Sequence, residues 1–260
     1  MVTQKQAFAL IEHHLANLQS LAPALVSVVL VGSLSSGSFT GRPGSDIDLV
    51  HILHDGGDAR QAIFDAIART EQETNRLLPF ARCVYEQSQL KRPYPQDFPL
   101  TKENKDLLEI PIEILRMKES GRMLWGEDLL DWMDTPTRED MRAMQSLARA
   151  FEKAMLAADP AYAKLRAEIL RNPSFKIITQ IVLTGAMTHY FFATGQSCSN
   201  KSTIAAHMLR DVPDYHFHTL LALATKYRNS PEDFTPGEEK SMREQYKIWQ
   251  EEMTSCVTKE

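Results

Sequence analysis

Apolar and polar positions alternate along this chain with two different periods. In residues 4–20, Phe8, Ile11, Leu15 and Leu18 recur at three- and four-residue intervals and predict one face of an amphipathic helix. Leu25 to Val31 and Ile47 to Leu53 are short aliphatic and β-branched runs that predict strands, separated by a Gly/Ser/Pro loop. A helix follows over 58–78, with Ile63, Ile67, Thr70 and Leu77 inward, and a third strand over 80–90. The three prolines between Lys91 and Lys105 predict an irregular crossing. Pro111 and Gly121 punctuate a short helix, after which "RMLWG" reads as a brief strand.

Beyond Pro136 the two-residue period disappears. Helical patterns occupy 137–158, 160–171, 174–194, 201–210, 214–227 and 237–255, broken at Asn-Pro, Thr-Gly and Val-Pro steps. The expected fold is therefore α+β. A mixed sheet with helices over 1–135 precedes an all-α domain over 136–260.

Composition narrows the function classes. The 260 residues are 43% hydrophobic and 24% charged, values of an ordinary folded chain. A formal net charge of -5 supplies no basic field for sequence-independent binding to nucleic acid, so none is expected as a partner. The three cysteines, Cys83, Cys198 and Cys256, are distant from one another and lack CxxC spacing, which argues against a disulfide framework or a zinc site. No apolar stretch approaches the roughly 20 residues of a membrane span. The N-terminus shows no secretory pattern. A cytoplasmic protein is expected, with the oligomeric state left open.

The stretch "VGSLSSGSFTGRPGSDIDLV" carries the chemistry. Gly32 and Ser33 close one predicted strand, and twelve residues later Asp46 and Asp48 open the next. On a strand these two carboxylates share a face while Ile47 and Leu49 take the other. Carboxylates so close repel unless a cation lies between them, and hard oxygen donors supplemented by phosphate suit Mg²⁺. Gly32 allows close backbone approach, and Ser33 offers a hydroxyl and an amide to a phosphate oxygen.

The spacing of Gly-Ser and Asp-x-Asp between apolar residues resembles the signature of the DNA polymerase β-like nucleotidyltransferase superfamily. The resemblance implies that Asp46 and Asp48 hold Mg²⁺, that Gly32, Ser33 and Ser45 contact the triphosphate, and that a third carboxylate comes from a later strand. "ATGQSCSNKSTIAAHMLRDVP" and "LLALATKYRNSPEDF" resemble the C-terminal helical region of the streptomycin and spectinomycin adenylyltransferases. That likeness implies ATP as donor, a small-molecule hydroxyl acceptor with aminoglycosides as the candidate class, and Lys201 on the phosphates. An arginine that the group places on the preceding helix falls here on Met187. Protein AMP transfer and an inactive nucleotide-binding regulator are the alternatives.

Two glutamates compete for the third carboxylate. Glu86, 38 residues after Asp48, lies in the third predicted strand and matches the adenylyltransferase arrangement. Glu113, between Ile112 and Ile114, has the apolar neighbours of the superfamily pattern, but the short helix is expected to turn it to solvent. Strand geometry favours Glu86. Among the histidines, His13, His14, His51 and His54 lack a metal-ligand partner at i, i+4, and hydrogen-bonded or exposed roles are expected. "YHFH" at 215–218 offers no metal pair, and "HYFF" at 189–192 is expected to pack in a core.

Overall fold

A computed structural model describes residues 1–42, 45–56 and 59–257, side chains at 103 and 253–257 excepted; Pro43 and Gly44 of the motif and the Cys256 side chain thus lie outside the described residues. The chain divides into two compact units, Met1–Met155 and Leu156–Glu260.

The first unit is built on a four-stranded sheet of β1 (Leu25–Val31), β2 (Ile47–Leu53), β3 (Phe80–Glu86) and β4 (Arg122–Gly126) in the order β3-β2-β1-β4. β1 pairs antiparallel with β2 and with β4, while β2 and β3 run parallel. The parallel pair follows from the connection, because α3 (Arg60–Glu73) returns the chain to the starting edge. Every residue of β1 is buried, as a central strand covered on both faces requires.

Strand alternation sorts the side chains into two cores. On one face Leu30, Ile47, Leu49 and Leu53 pack with Leu10 and Ile11 of α1 (Gln4–Asn17) and Ile63 and Ile67 of α3. On the other, Val29, Val31, Val50, Ile52 and Tyr85 pack with Ile110, Ile114 and Met117 of α4 (Ile110–Ser120). The first helix is held at its start by a capping box of Thr3 and Gln6.

Between β1 and β2 the chain forms one helical turn, α2 (Gly32–Ser35). The expected third strand over 80–90 ends at Glu86, because residues 87–90 curl into a 3₁₀ turn in which Gln89 caps back onto the Glu86 amide.

α5 (Arg138–Ala158) carries the division between the units. The sequence boundary at 135/136 therefore moves to 155/156. Its physical cause is that the start of α5 belongs to the first unit: Arg92 pairs with Asp140 at 3.1 Å, and Asp140 also accepts from the Thr137 amide.

The second unit contains α6 (Pro160–Arg171), α7 (Phe175–Thr194), α8 (Ile204–Asp211), α9 (His218–Asn229) and α10 (Pro236–Val257). Its core joins Ile178, Val182, Leu183 and Tyr190 of α7 to Met208, Leu220, Leu221, Met242 and Tyr246. α7 stops at Gly195, whose φ of +77° makes it the left-handed cap that the Thr-Gly step signals. Tyr190 and Phe191 of "HYFF" are core residues, as expected. Among the described residues no helix is long and apolar enough to cross a membrane.

Candidate active site

The register of the sheet decides which motif residues meet. Asp48 pairs with Val31, so the residue after Val31, Gly32, lies against the Asp48 carboxylate. Gly32 has φ +74°. A Cβ there would press on Asp48 Oδ2, standing 2.8 Å from Cγ and 3.0 Å from Arg116 Nη2. Both the left-handed backbone and the lack of a side chain are thus required, which explains glycine at this position.

α2 is closed by local bonds: the Ser36 amide donates to the Gly32 carbonyl at 3.0 Å, and the Ser38 amide to the Ser33 carbonyl at 2.9 Å. The Ser35 hydroxyl donates to the Ser120 carbonyl, tying this turn to the end of α4. Ser45 is half-buried, with its amide donating to the Arg42 carbonyl at 2.9 Å. Asp46 stands one residue ahead of β2 and is exposed. Asp48, within the strand, keeps 17% of its side-chain surface accessible. Gly32, Ser33, Asp46 and Asp48 therefore gather at one end of the β1–β2 pair.

Glu86 does not join them. In the parallel ladder Asp48 pairs with Ala81 whereas Glu86 pairs with Leu53, so the two lie five positions apart along the strands, roughly 17 Å at the usual rise. Leu53 belongs to the core of the opposite face, and Glu86 shares that face. Its carboxylate accepts instead from the Gly56 amide at 3.4 Å. The expectation of convergence with Asp46 and Asp48 is corrected by both register and parity. The β3 residues on the Asp48 face are Ala81, Cys83 and Tyr85, none of them a carboxylate.

Glu113 departs from its expectation in the other direction. It is only 2% exposed, on the side of α4 that carries Ile110, Ile114 and Met117 into the core. Glu113 Oε1 accepts from Arg116 Nη1 at 2.6 Å, and Arg116 Nη2 lies 3.2 Å from Asp48 Oδ1. The guanidinium bridges the strand carboxylate and the helix carboxylate.

Burial pushes the Glu113 carboxyl above its ordinary range, against the pull of Arg116, and the Asp48 charge adds to the rise. For Arg116, burial opposes the charged form, but Glu113 and Asp48 outweigh it and hold the guanidinium firmly protonated. Burial raises the neighbouring Cys83 thiol, with Glu113 adding to the effect, so this cysteine is an unreactive thiol. Glu113 Oε2 is buried with no hydrogen-bond partner among the described residues.

Arg116 is the residue that sequence reading missed. A signal existed, since Glu113 shares the stripe of positions 110, 114 and 117. A glutamate there needs a buried counter-charge, and Arg116 at i+3 is within reach.

The protein supplies few groups to a metal: no cluster of three or more His, Cys, Asp or Glu side chains suited to one is found among the described residues. Two hard carboxylates, one pressed against a glycine turn, nevertheless fit a cation that takes its remaining ligands from substrate phosphate and water, which describes Mg²⁺.

In the second unit Lys201 is half-buried in the turn before α8, which begins at Ile204 and not at 201. Met187 packs against the second core, so its position serves packing.

Comparison with known proteins places these features. The model of the nucleotidyltransferase domain family matches residues 11–107. No curated protein sequence matches. The crystal structure of spectinomycin adenyltransferase AAD(9) from Enterococcus faecialis with ATP and spectinomycin is similar over 84% of this chain and 88% of that one, with 13% identity and a TM-score of 0.52. At that identity the likeness is one of fold. A toxin–antitoxin structure with AMP-PNP overlaps 60% of this chain and 97% of that one at 14% identity, with a TM-score of 0.29. The Gly-Ser and Asp-x-Asp motifs lie inside the matched residues and meet at one end of the sheet, so residues 11–107, rather less than half of the chain, are similar to the nucleotidyltransferase domain family.

Proposed function

We propose that this nucleotidyltransferase moves AMP from ATP to a hydroxyl of a small molecule, with aminoglycosides the first acceptor class to test. The observation that carries the reading is the packing of Asp48 on Gly32, with Asp46 exposed beside it. That geometry supports reading the turn as a phosphate-binding element and the two aspartates beside it as metal ligands. The fold shared with a spectinomycin adenyltransferase seen with ATP and spectinomycin supports the choice of donor and acceptor.

The roles follow from the groups. Gly32 and Ser33 receive the triphosphate, the first by close backbone approach and the second by its hydroxyl and amide, and Ser45 and Lys201 are further nucleotide-binding residues. Asp46 and Asp48 would hold Mg²⁺, which when bound offsets the charge of the triphosphate and of the departing pyrophosphate. The acceptor hydroxyl oxygen attacks the α-phosphorus as the bond to pyrophosphate breaks, and the hydroxyl proton passes to solvent water. Glu113 acts through Arg116 as a positioning residue, and Glu86 lies outside the chemistry. A cytoplasmic location accords with the use of ATP.

The test is pyrophosphate release with ATP, GTP and CTP over a panel of aminoglycosides. Release that needs both ATP and one acceptor, and that Asp48→Asn removes, is the expected result. Release only in the presence of a protein acceptor would replace the small molecule with a protein, and no release with any acceptor would overturn the proposal.

A further inference from the structure

The contact between Arg116 and Asp48 has no part in the roles above. Asp48 Oδ1 faces a guanidinium at 3.2 Å, while Oδ2 faces Gly32. A divalent cation on Asp48 and the positive charge of Arg116 repel each other at such separations. The guanidinium also flanks the glycine turn, where a Cβ on Gly32 would come within 3.0 Å of Nη2. Arg116 retains 21% of its side-chain surface, enough to meet a ligand at this turn.

Arg116 is held from behind. Glu113, almost fully buried on α4, bonds Nη1 at 2.6 Å and anchors one side of the planar fork. The Nη2 side is left to exchange one oxygen partner for another without losing that anchor. An arginine fork suits both a carboxylate and a phosphate.

We propose that Arg116 couples divalent-cation binding to nucleotide binding: its Nη2 holds Asp48 Oδ1 until a triphosphate oxygen takes that place, which frees the carboxylate for the cation. The inference rests on the nucleotide and Mg²⁺ reading of the site. The second observation behind it is Oε2 of Glu113, a buried carboxylate oxygen with no hydrogen-bond partner among the described residues, which leaves the Arg116 ion pair as the counter-charge of this carboxylate. A guanidinium committed to Glu113 alone would have no reason to reach Asp48; one shared between the two is poised for exchange.

The experiment uses the full chain and two binding measurements free of turnover. Removing Arg116 alone would strand the Glu113 charge, so the main variant is Glu113→Gln/Arg116→Gln, which leaves the net charge of the cluster unchanged. Mn²⁺ binding without nucleotide is followed by electron paramagnetic resonance. Binding of a non-hydrolysable ATP analogue in EDTA is followed by calorimetry. Relative to wild type, the paired variant is expected to bind Mn²⁺ roughly tenfold tighter and the analogue roughly tenfold weaker, the fold-change of one charge-assisted hydrogen bond in each case. Arg116→Lys, which keeps the positive charge, stays within a few-fold of wild type for Mn²⁺.

A general loss of structure weakens both ligands together and cannot tighten one. Unchanged or weaker Mn²⁺ binding in the paired variant, or unchanged analogue binding, overturns the coupling. A wild type that binds neither analogue nor Mn²⁺ even when both are supplied overturns instead the nucleotide reading on which it rests.

Discussion

The two faces of the sheet bury polar groups by opposite means. On the α1/α3 face His14 and His51, both fully buried, meet Nε2 to Nε2 at 3.0 Å. His51 Nδ1 lies 3.3 Å from the Cys83 carbonyl, and His14 Nδ1 lies 3.1 Å from the Thr70 hydroxyl. A neutral pair shares one proton between the two Nε2 atoms, His14 Nε2 donating to His51 Nε2 while His51 Nδ1 donates to the Cys83 carbonyl, and the Thr70 hydroxyl donates to the Ala66 carbonyl at 2.9 Å. On the α4 face Arg116 pairs with both Glu113 and Asp48. Imidazole has a neutral form within easy reach of pH 7, whereas arginine has none, so one face sheds its charge and the other compensates it. The face that carries the ion pairs is the one at the Gly32 turn.

The strongest way to break this contrast is to remove the charge that the α4 face exists to hold. Asp48→Asn is expected to lower pyrophosphate release by 10³-fold or more, about 4 kcal/mol of barrier, while circular dichroism shows the fold intact. A variant that retains a tenth of wild-type turnover would detach Asp48 from the chemistry.

Next in size is the loss of the counter-charge. Arg116→Ala leaves Glu113 buried and uncompensated, and urea unfolding should show a loss of about 3 kcal/mol at pH 7. Glu113→Gln/Arg116→Gln is expected to recover most of it, since neither member is then left as an unpaired ion. Equal stability of the single and paired variants would show that the two charges do not depend on each other.

The histidine face is probed by pH. Burial, then His51, then His13 push His14 down to about 3, and burial pushes His51 down to about 4, against a backbone bond from Cys83 that favours the charged form. An unfolded histidine titrates near its ordinary value of 6.5, so as pH falls the unfolded chain takes up these protons first. The contribution is fully present above about 6.5 and is lost toward pH 4, at roughly 1.4 kcal/mol per pH unit for each ring. Urea unfolding between pH 7 and pH 5 should therefore show a slope that His14→Gln/His51→Gln flattens. A slope unchanged in that variant would assign the acid sensitivity elsewhere.

The smallest effect is the sharpest discriminator between the two glutamates. Glu86→Gln should leave turnover within about threefold of wild type, because its carboxylate lies on the histidine side of the sheet at the far end of the strand. Glu113→Gln should cost more, through the freedom it gives Arg116, and Arg116 in place should show as a change in nucleotide affinity before a change in rate. Inactive Glu86→Gln would contradict the register of β2 and β3.

Local chemistry made much of this molecule legible before any coordinates. Period and punctuation place α1, β1, β2, α3, β3, α4 and the helical second half to within a few residues, since alternation, proline and glycine act over one or two turns of chain. The Gly-Ser and Asp-x-Asp motif was readable for the same reason: its members lie at the adjoining ends of two strands joined by one loop, and antiparallel pairing brings those ends together. Whether a later carboxylate joins them depends on the offset between β2 and β3, which pairs Ile47 with Phe80. That offset is set by how α3 packs and where β3 begins, and a shift of one residue would exchange the two faces. The side of the sheet taken by Glu86, the burial of Glu113, the reach of Arg116 to Asp48 and the meeting of His14 with His51 were all decided there, because each joins residues from elements that only the packed sheet makes neighbours.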